Sequence, residues 1–386
     1  MKVTIVSPFY TPSIGGVETI ARDTAEELVR RGHEVHVVTT TCDNTWEKIA
    51  EAGEVMSGGV VIHRLNPSSL KIGYSTLMEG LKGTVEEIRP DIVHSHNLHP
   101  HLFQLINWKQ EIGYGLVAQL HYPTVTGIDS VVARGLYRPT MWNLARNQGK
   151  VDGVVAHGVK ERDWLVGEKI DEERIRKIRY PAVPARLLEY EGNPVPELEG
   201  VDGPVVLYIG RITWRKGVHV LVDAVKSLVE EAPNLRVVIA GPPEKDYLEK
   251  IRSAVEQKGL QDNVVLEGAL SEKKKYDYMC ASTVFVSPSI KDIHPITLLE
   301  AQALGTPVVS TNIAAIPDIV RDGETGILVE SEDPEALKEA IGKITRDAAL
   351  RRRLSQGARE WASSLSLESS VDSLEDLYSD ILENRR

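Results

Sequence analysis

The chain has 386 residues, more than one hydrophobic core usually accommodates, so two domains are expected. A hydrophobic content of 42% and a charged content of 26% are those of an ordinary globular protein. The net charge of −11, with no dense Lys/Arg block, argues against nucleic-acid binding, and two cysteines, Cys42 and Cys280, cannot build a disulfide framework.

The N-terminal MKVTIVSPFY carries only a short apolar run, so neither a signal peptide nor a membrane span is expected, and no later stretch is long enough to cross a bilayer. A cytoplasmic location follows as an expectation. Val3–Val6 reads as a strand, Val17–Arg31 as a helix and Glu34–Thr39 as a second strand. Apolar runs at Val60–Arg64, Ile92–His94, Leu116–Leu120 and Gly153–Ala156 continue the series, as parallel strands buried on both faces do. The strand–helix–strand rhythm predicts a doubly wound α/β sheet. Residues 181–204 are rich in Pro, Glu and Gly and read as an interdomain linker. The rhythm then restarts with strand Val205–Ile209, helix Gly217–Glu231, strand Arg236–Ala240 and helix Lys245–Lys258. Strands Val264–Leu266 and Val284–Val286, a helix opening at Pro295 and strand Val308–Ser310 come next. Helices Pro334–Ile344, Ala348–Ser364 and Glu368–Glu383 close the chain, the last with its apolar residues on one face.

Two segments carry recognisable chemistry. The apolar run Thr283–Ser287 enters a polar loop holding Asp292, and a helix follows with proline at its favoured first position and Gly305 as a left-handed cap. Glu300 shares a helix face with Thr297 and leans back toward the helix start, where free N–H groups and the positive dipole end suit a phosphate. An anion site with a carboxylate on either side can hold phosphate, ribose and sugar together. The other segment is Gly210-Arg-Ile-Thr-Trp-Arg-Lys216-Gly217, at the end of an apolar strand. Gly210 permits a sharp turn, and Arg211 and Lys216 stand beside a helix start as a clamp for a diphosphate. An ordinary strand-to-helix turn with solvated cations is the alternative. No His/Cys/Asp cluster has metal-ligand spacing.

The G-R-x4-K-G segment, followed about two βα units later by Asp292 and Glu300 as D-x7-E, resembles retaining glycosyltransferases of the GT-B fold, family 4 above all. The resemblance also takes in Ser13-Ile-Gly15-Gly16-Val-Glu18, Asp91-Ile-Val-His94-Ser-His96, His121, Ala240-Gly241-Pro242, Gly268 and Asp322-Gly-Glu-Thr-Gly326. It implies two Rossmann-like, doubly wound parallel-sheet domains facing across a cleft. The acceptor side would occupy residues 1–185, a linker 186–203 and the nucleotide-sugar domain 204–365, with a helix at 366–386 crossing back to the first domain. The implied reaction moves a sugar from a nucleotide-diphosphate sugar to a hydroxyl acceptor, without metal or other cofactor. Contact with the inner membrane face is implied if the acceptor is lipid-linked.

The resemblance also assigns roles. Arg211 and Lys216 would hold the diphosphate, Glu300 the ribose, and Asp292 the transferred sugar. The N–H groups of Ile296 and Thr297 would meet phosphate, while Gly210, Gly241 and Gly268 to Leu270 would border the donor. Gly15 and Gly16 would reach the donor phosphate and the acceptor, and His121 would lie near the transferred sugar. His94 and His96 are expected to face opposite sides of their strand, so that at most one reaches the cleft, and to serve packing, with a site role as the alternative. The basic, aromatic segment Arg134–Arg146 reads as an amphipathic helix packed on the sheet, with a lipid contact as the alternative.

Some positions depart from the family pattern. Asp292 replaces a glutamate, and the usual Gly-Phe-Gly is Ile293-His294-Pro295, where Pro295 has no N–H to give. Asn-Gly becomes Pro181-Ala182, and Gly-Gly-Ile-Pro-Glu becomes Ala314-Ala315-Ile316-Pro317-Asp318. Two rival functions follow: a nucleotide-sugar epimerase on the same architecture, and an inert nucleotide-sugar-binding subunit. A dinucleotide dehydrogenase is disfavoured, because no G-x-G-x-x-G follows the first strand.

Overall fold

The computed structural model describes residues 1–13, 15–43, 45–69, 76–121, 139, 141–180, 182–292, 295–314 and 316–385. Four positions of interest, Pro181, Ile293, His294 and Ala315, lie outside the described residues, as does most of 134–140. The chain divides into two compact units, Met1–Ala182 with Leu367–Arg386, and Val183–Ser366. Among the described residues no helix is long and apolar enough to cross a membrane.

The first unit contains β1 (Lys2–Val6), β2 (Glu34–Thr40), β3 (Gly53–Ser57), β4 (Val60–Leu65), β5 (Ile92–His96), β6 (Gly115–Gln119), β7 (Gly153–Ala156) and β8 (Ile175–Lys177). Their order in the sheet is β3-β4-β2-β1-β5-β6-β7-β8, and every pairing is parallel except β3 with β4. Gly58 and Gly59 both have positive φ and close the β3–β4 hairpin, a turn that requires this at its two central residues. The helix Leu367–Glu383 belongs to this unit and buries Val371, Leu374, Leu377, Tyr378 and Ile381. Glycines on the sheet make room for it: a Cβ on Gly115 would lie 2.7 Å from Ile381, and one on Gly153 would lie 3.0 Å from Leu377. Arg31 ties the helix down through ion pairs with Asp372 and Glu375.

The second unit contains β9 (Val205–Ile209), β10 (Arg236–Ala240), β11 (Val264–Glu267), β12 (Val284–Ser287), β13 (Val308–Thr311) and β14 (Gly326–Val329). Their order is β11-β10-β9-β12-β13-β14, all parallel. The sheet grows from β9 to one side through β10 and β11, then to the other through β12. The carboxyl ends of β9 and β12 therefore flank a topological switch point, where open α/β sheets form a ligand crevice.

The stretch 186–203, which composition marks as a linker, is packed onto this second unit. Leu187 and Val195 are buried in its core. The Tyr190 hydroxyl and the Asn193 side-chain amide donate to Asp277 at 2.6 and 2.9 Å. A Pro/Glu/Gly-rich composition signals the lack of a periodic element, not the lack of packing. The helix after β12 is Ile296–Ala303, with Pro295 as its N-cap rather than its first residue. Gly305 follows it in the left-handed region, φ 77°.

Candidate active site

In the second unit, β9 leaves through Gly210 and Arg211 into the turn Trp214–Lys216, and Gly217, at φ 67°, opens the helix Val218–Glu231. β12 leaves through residues 288–292. The two loops are stitched together by backbone: the amides of Ile290 and Lys291 both donate to the Arg215 carbonyl, at 2.9 and 3.0 Å. Gly217 comes so close to the second loop that a Cβ would sit 1.9 Å from the Pro288 carbonyl oxygen. Lys216 and Asp292 meet as an ion pair, and the Ser289 hydroxyl donates to the same Asp292 oxygen at 3.3 Å. The Tyr208 hydroxyl donates to the Arg211 carbonyl at 2.8 Å and holds the turn, leaving the Arg211 side chain exposed. Burial, reinforced by nearby Asp292, pushes the Tyr208 phenol well above its ordinary value, so it stays a donor.

Glycine tips line the crevice on the other side of β9. Gly210 N–H donates to Ala240 O, and Gly241 N–H to Gly268 O, each at 3.0 Å. Gly241 has φ 138°, and a Cβ there would lie 2.0 Å from the Gly210 carbonyl oxygen, so only glycine allows this approach. Gly268 is exposed and faces open space, and Leu270 is partly buried against the core.

Glu300 lies in the helix Ile296–Ala303 and is 7% exposed. Its Oε1 accepts from Lys275 Nζ at 2.5 Å and from the Tyr276 hydroxyl at 3.4 Å. Its Oε2 is buried with no hydrogen-bond partner among the described residues. Such a half-satisfied buried carboxylate calls for an explanation, and the capacity to accept a hydrogen bond from a substrate hydroxyl is one. Ile296 and Thr297 begin this helix, where backbone N–H groups have no intrahelical partner. Lys275 carries no recognisable motif; in the sequence it is one of three consecutive lysines, Lys273 to Lys275.

In the first unit, Gly15 is the N-cap of the helix Gly16–Arg30. A Cβ on Gly15 would lie 2.2 Å from Glu18 Oε2, so glycine lets the buried Glu18 carboxylate fold onto the loop, where the Ser13 hydroxyl donates to it at 3.4 Å. His121 follows β6 with φ 51°, a conformation rare outside glycine and concentrated at functional sites. It belongs to a row of rings. Centroid separations are 4.7 Å from His94 to His96, 5.0 Å from His96 to His121 and 4.9 Å from His121 to His157. His94 and His96 therefore share one face, contrary to the opposite-sides expectation, because strand side chains repeat every two residues. His94 Nδ1 bonds the Tyr378 hydroxyl at 2.7 Å, and His96 Nδ1 bonds His121 Nε2 at 2.9 Å. Burial pushes His94 and His157 down to about 3 and His96 well below the ordinary imidazole value, so these three rings are neutral. His157 was not singled out by the sequence.

Of the segment Arg134–Arg146, the described part shows Met141 and Leu144 buried in the core of the first unit and Trp142 exposed, with the Arg146 guanidinium 5.3 Å from the centre of its ring. Among the described residues no group of three or more His, Cys, Asp or Glu could hold a metal ion.

Residues 193–361 match the family model of the Glycosyl transferases group 1, and residues 14–182 match that of Glycosyltransferase Family 4. The chain belongs to glycosyltransferase family 4. It is 27% identical over 364 residues to a phosphatidyl-myo-inositol mannosyltransferase of Mycobacterium leprae, covering 92% of this chain and 90% of the relative. A D-inositol 3-phosphate glycosyltransferase of Acidothermus cellulolyticus is 32% identical over 193 residues, 48% of this chain and 43% of that protein. The sucrose-phosphate synthase of Thermosynechococcus elongatus has the same fold, with a TM-score of 0.80 at 21% identity over 99% of each chain. HepE of Anabaena, in complex with UDP and glucose, gives a TM-score of 0.79 at 17% identity, covering 98% of this chain and all of that one. The fold of this family-4 glycosyltransferase is therefore GT-B, built from two parallel-sheet α/β units.

Proposed function

We propose that this glycosyltransferase transfers a sugar from a nucleoside-diphosphate sugar to an acceptor hydroxyl, with retention of configuration and without a metal ion. The observation that carries the reading is Glu300, in the helix that follows the β12 loop, whose buried Oε2 has no hydrogen-bond partner among the described residues. Ribose hydroxyls are donors of the right kind to satisfy it. Arg211 and Lys216 lie on the first of those loops, where negative charge develops on the departing diphosphate. Lys216 is shared with Asp292, so a donor phosphate would draw the ammonium away and leave Asp292 for the sugar hydroxyls. In the proposed step the anomeric carbon–phosphate oxygen bond breaks as the acceptor oxygen bonds on the same face of the sugar. The leaving phosphate oxygen takes the acceptor's proton.

The named activities of the inositol-directed relatives make a cyclitol or its phosphate the first acceptor to try, and a second HepE structure, in complex with UDP-glucose, makes that nucleotide sugar a first donor. Calorimetric titration with UDP-, GDP- and ADP-sugars tests the donor class. Glu300→Ala should weaken the preferred ribonucleotide by at least about tenfold, and Arg211→Ala should lower transfer by about 10²-fold. Wild-type binding by the first variant and wild-type transfer by the second would refute the reading. Product analysis by NMR separates transfer from epimerisation, which turns over the donor without an acceptor.

A further inference from the structure

We propose that His96 is a positioning residue that holds His121 in a single neutral tautomer, with the proton on Nδ1 and Nε2 bare. The functional consequence rests on the reading of His121 as a sugar-site residue; the tautomer itself does not.

The bond between His96 Nδ1 and His121 Nε2 is 2.9 Å long and can be made in two ways. If His96 donates, its Nδ1 carries the proton and its own Nε2 is bare. If His121 donates, the neutral His96 must carry its proton on Nε2. His96 Nε2 is buried without a hydrogen-bond partner among the described residues. The two arrangements thus differ in what is left dry in the interior: a bare ring nitrogen in the first, an N–H in the second. Orphaned buried N–H groups are the rarer outcome in folded proteins, which favours donation from His96. A doubly protonated His96, donating from both nitrogens, is opposed by its complete burial between His94 and His121.

The surroundings fix His96 for this task. Its main chain ends β5 in register with Gln119 of β6, two residues before His121. The His96 carbonyl accepts from His101 Nε2 at 3.1 Å, which places the proton of buried His101 on that nitrogen. His121 itself is held in the left-handed region between the rings of His96 and His157. Its Nε2 accepts from His96 in this arrangement, so the single proton of the neutral ring sits on Nδ1. The consequence is that His121 offers the sugar a hydrogen-bond donor rather than a base.

Side-chain isosteres separate positioning from packing. The amide nitrogen of asparagine is two bonds from Cβ, as Nδ1 of histidine is, so His96→Asn keeps a donor at this place, whereas His96→Leu removes it. In the full-length protein labelled with 15N at histidine, long-range proton–nitrogen NMR reads the tautomer, and His121→Asn assigns the signals. Wild type and His96→Asn should show His121 protonated at Nδ1, and His96→Leu should show it redistributed between Nδ1 and Nε2. A thermal melt of each variant confirms that it is folded. A wild-type His121 protonated at Nε2, or a His121 spectrum in folded His96→Leu identical to wild type, overturns the proposal. Titration with UDP-glucose and GDP-mannose then tests the other layer. If a nucleotide sugar binds and the His121 signals do not move, the sugar-site reading of His121 fails while the tautomer assignment stands.

Discussion

Replacing Gly217 by alanine tests the idea that backbone packing between two loops builds the donor side of the site. Gly217 has φ 67°, where an L-residue costs about 1–2 kcal/mol. The new Cβ would lie 1.9 Å from the Pro288 carbonyl oxygen, and contacts under 3.0 Å are essentially never seen, so the loops must part by about 1 Å. Overpacking with a backbone shift costs a further ~1–3 kcal/mol, for a total of about 2–5 kcal/mol in the unit Val183–Ser366. At roughly 2–4 °C per kcal/mol for a unit of this size, the melting transition should drop by on the order of 10 °C. The same parting pulls the Arg215 carbonyl away from the amides of Ile290 and Lys291 and displaces Lys216 from Asp292. Nucleotide affinity or turnover should then fall by about 10²-fold, the usual penalty for misplacing a site by an ångström. Scanning calorimetry and nucleotide titration read both effects. Gly268→Ala is the internal control, because a Cβ there meets nothing within 4 Å and should change stability by no more than about 0.5 kcal/mol. A Gly217→Ala protein that melts and binds like wild type, or a Gly268→Ala protein equally damaged, would refute the reasoning.

Tyr378→Phe should destabilise the first unit by about 1–3 kcal/mol, because it deprives buried His94 Nδ1 of its 2.7 Å partner without changing the ring that packs on the sheet. An unchanged melt would show that His94 finds another partner. Asp277 gives a pH test. Burial alone would raise its carboxyl, but bonds from Tyr190, Asn193 and Lys273 outweigh that and hold it at about 2, against an ordinary 3.8. A carboxyl depressed by folding stabilises above its unfolded value, and the contribution is lost as pH falls from about 4 through 2. Asp277→Asn should therefore melt below wild type at neutral pH, with the gap narrowing over that acid range. A gap that stays constant down to pH 2 would show that Asp277 is not the titrating group.

Where the sequence was legible, burial was continuous. All five residues of β9 are buried, and the apolar run Val205–Ile209 gives its limits directly. β3 escaped because all five of its residues are exposed and carry no inward pattern, although Gly58–Gly59 marks the turn beside it. The packing of stretch 186–203 was illegible for the opposite reason: Leu187 and Val195 are buried singly within a polar, proline-rich background. Of the residues that the motifs indicate, Lys216 and Asp292 meet as an ion pair, and Glu300 keeps a buried oxygen without a hydrogen-bond partner among the described residues. What holds their segments together was not legible, since the Arg215 carbonyl accepts from Ile290 and Lys291 through the backbone, which any residue supplies. Lys275 was hidden because a lysine in a lysine-rich run looks the same whether it is solvated or bonded to a buried carboxylate 25 residues away.

The histidine row shows how sheet register converts unrelated sequence positions into neighbours. His96 is in register with Gln119 on β6, and Gln119 is in register with Val155 on β7. His121 and His157 each lie two residues beyond those partners, so they arrive at one level at the tips of adjacent strands, with ring centroids 4.9 Å apart. Nothing local in Leu120-His121 or Ala156-His157 announces this. Spacing along one strand gives the face, as for His94 and His96, whereas neighbours across strands require the strand order. Once β6 and β7 are known to be adjacent and parallel, a histidine directly after each apolar run places His121 beside His157, and His96, level with Gln119 on neighbouring β5, meets His121 from two residues lower. Gathered there and buried, His94, His96 and His157 are neutral, and a neutral ring works only through which of its nitrogens carries the proton. The tautomer of His121 is therefore a property of the sheet register, and a substitution at His96 should reach it without touching the site.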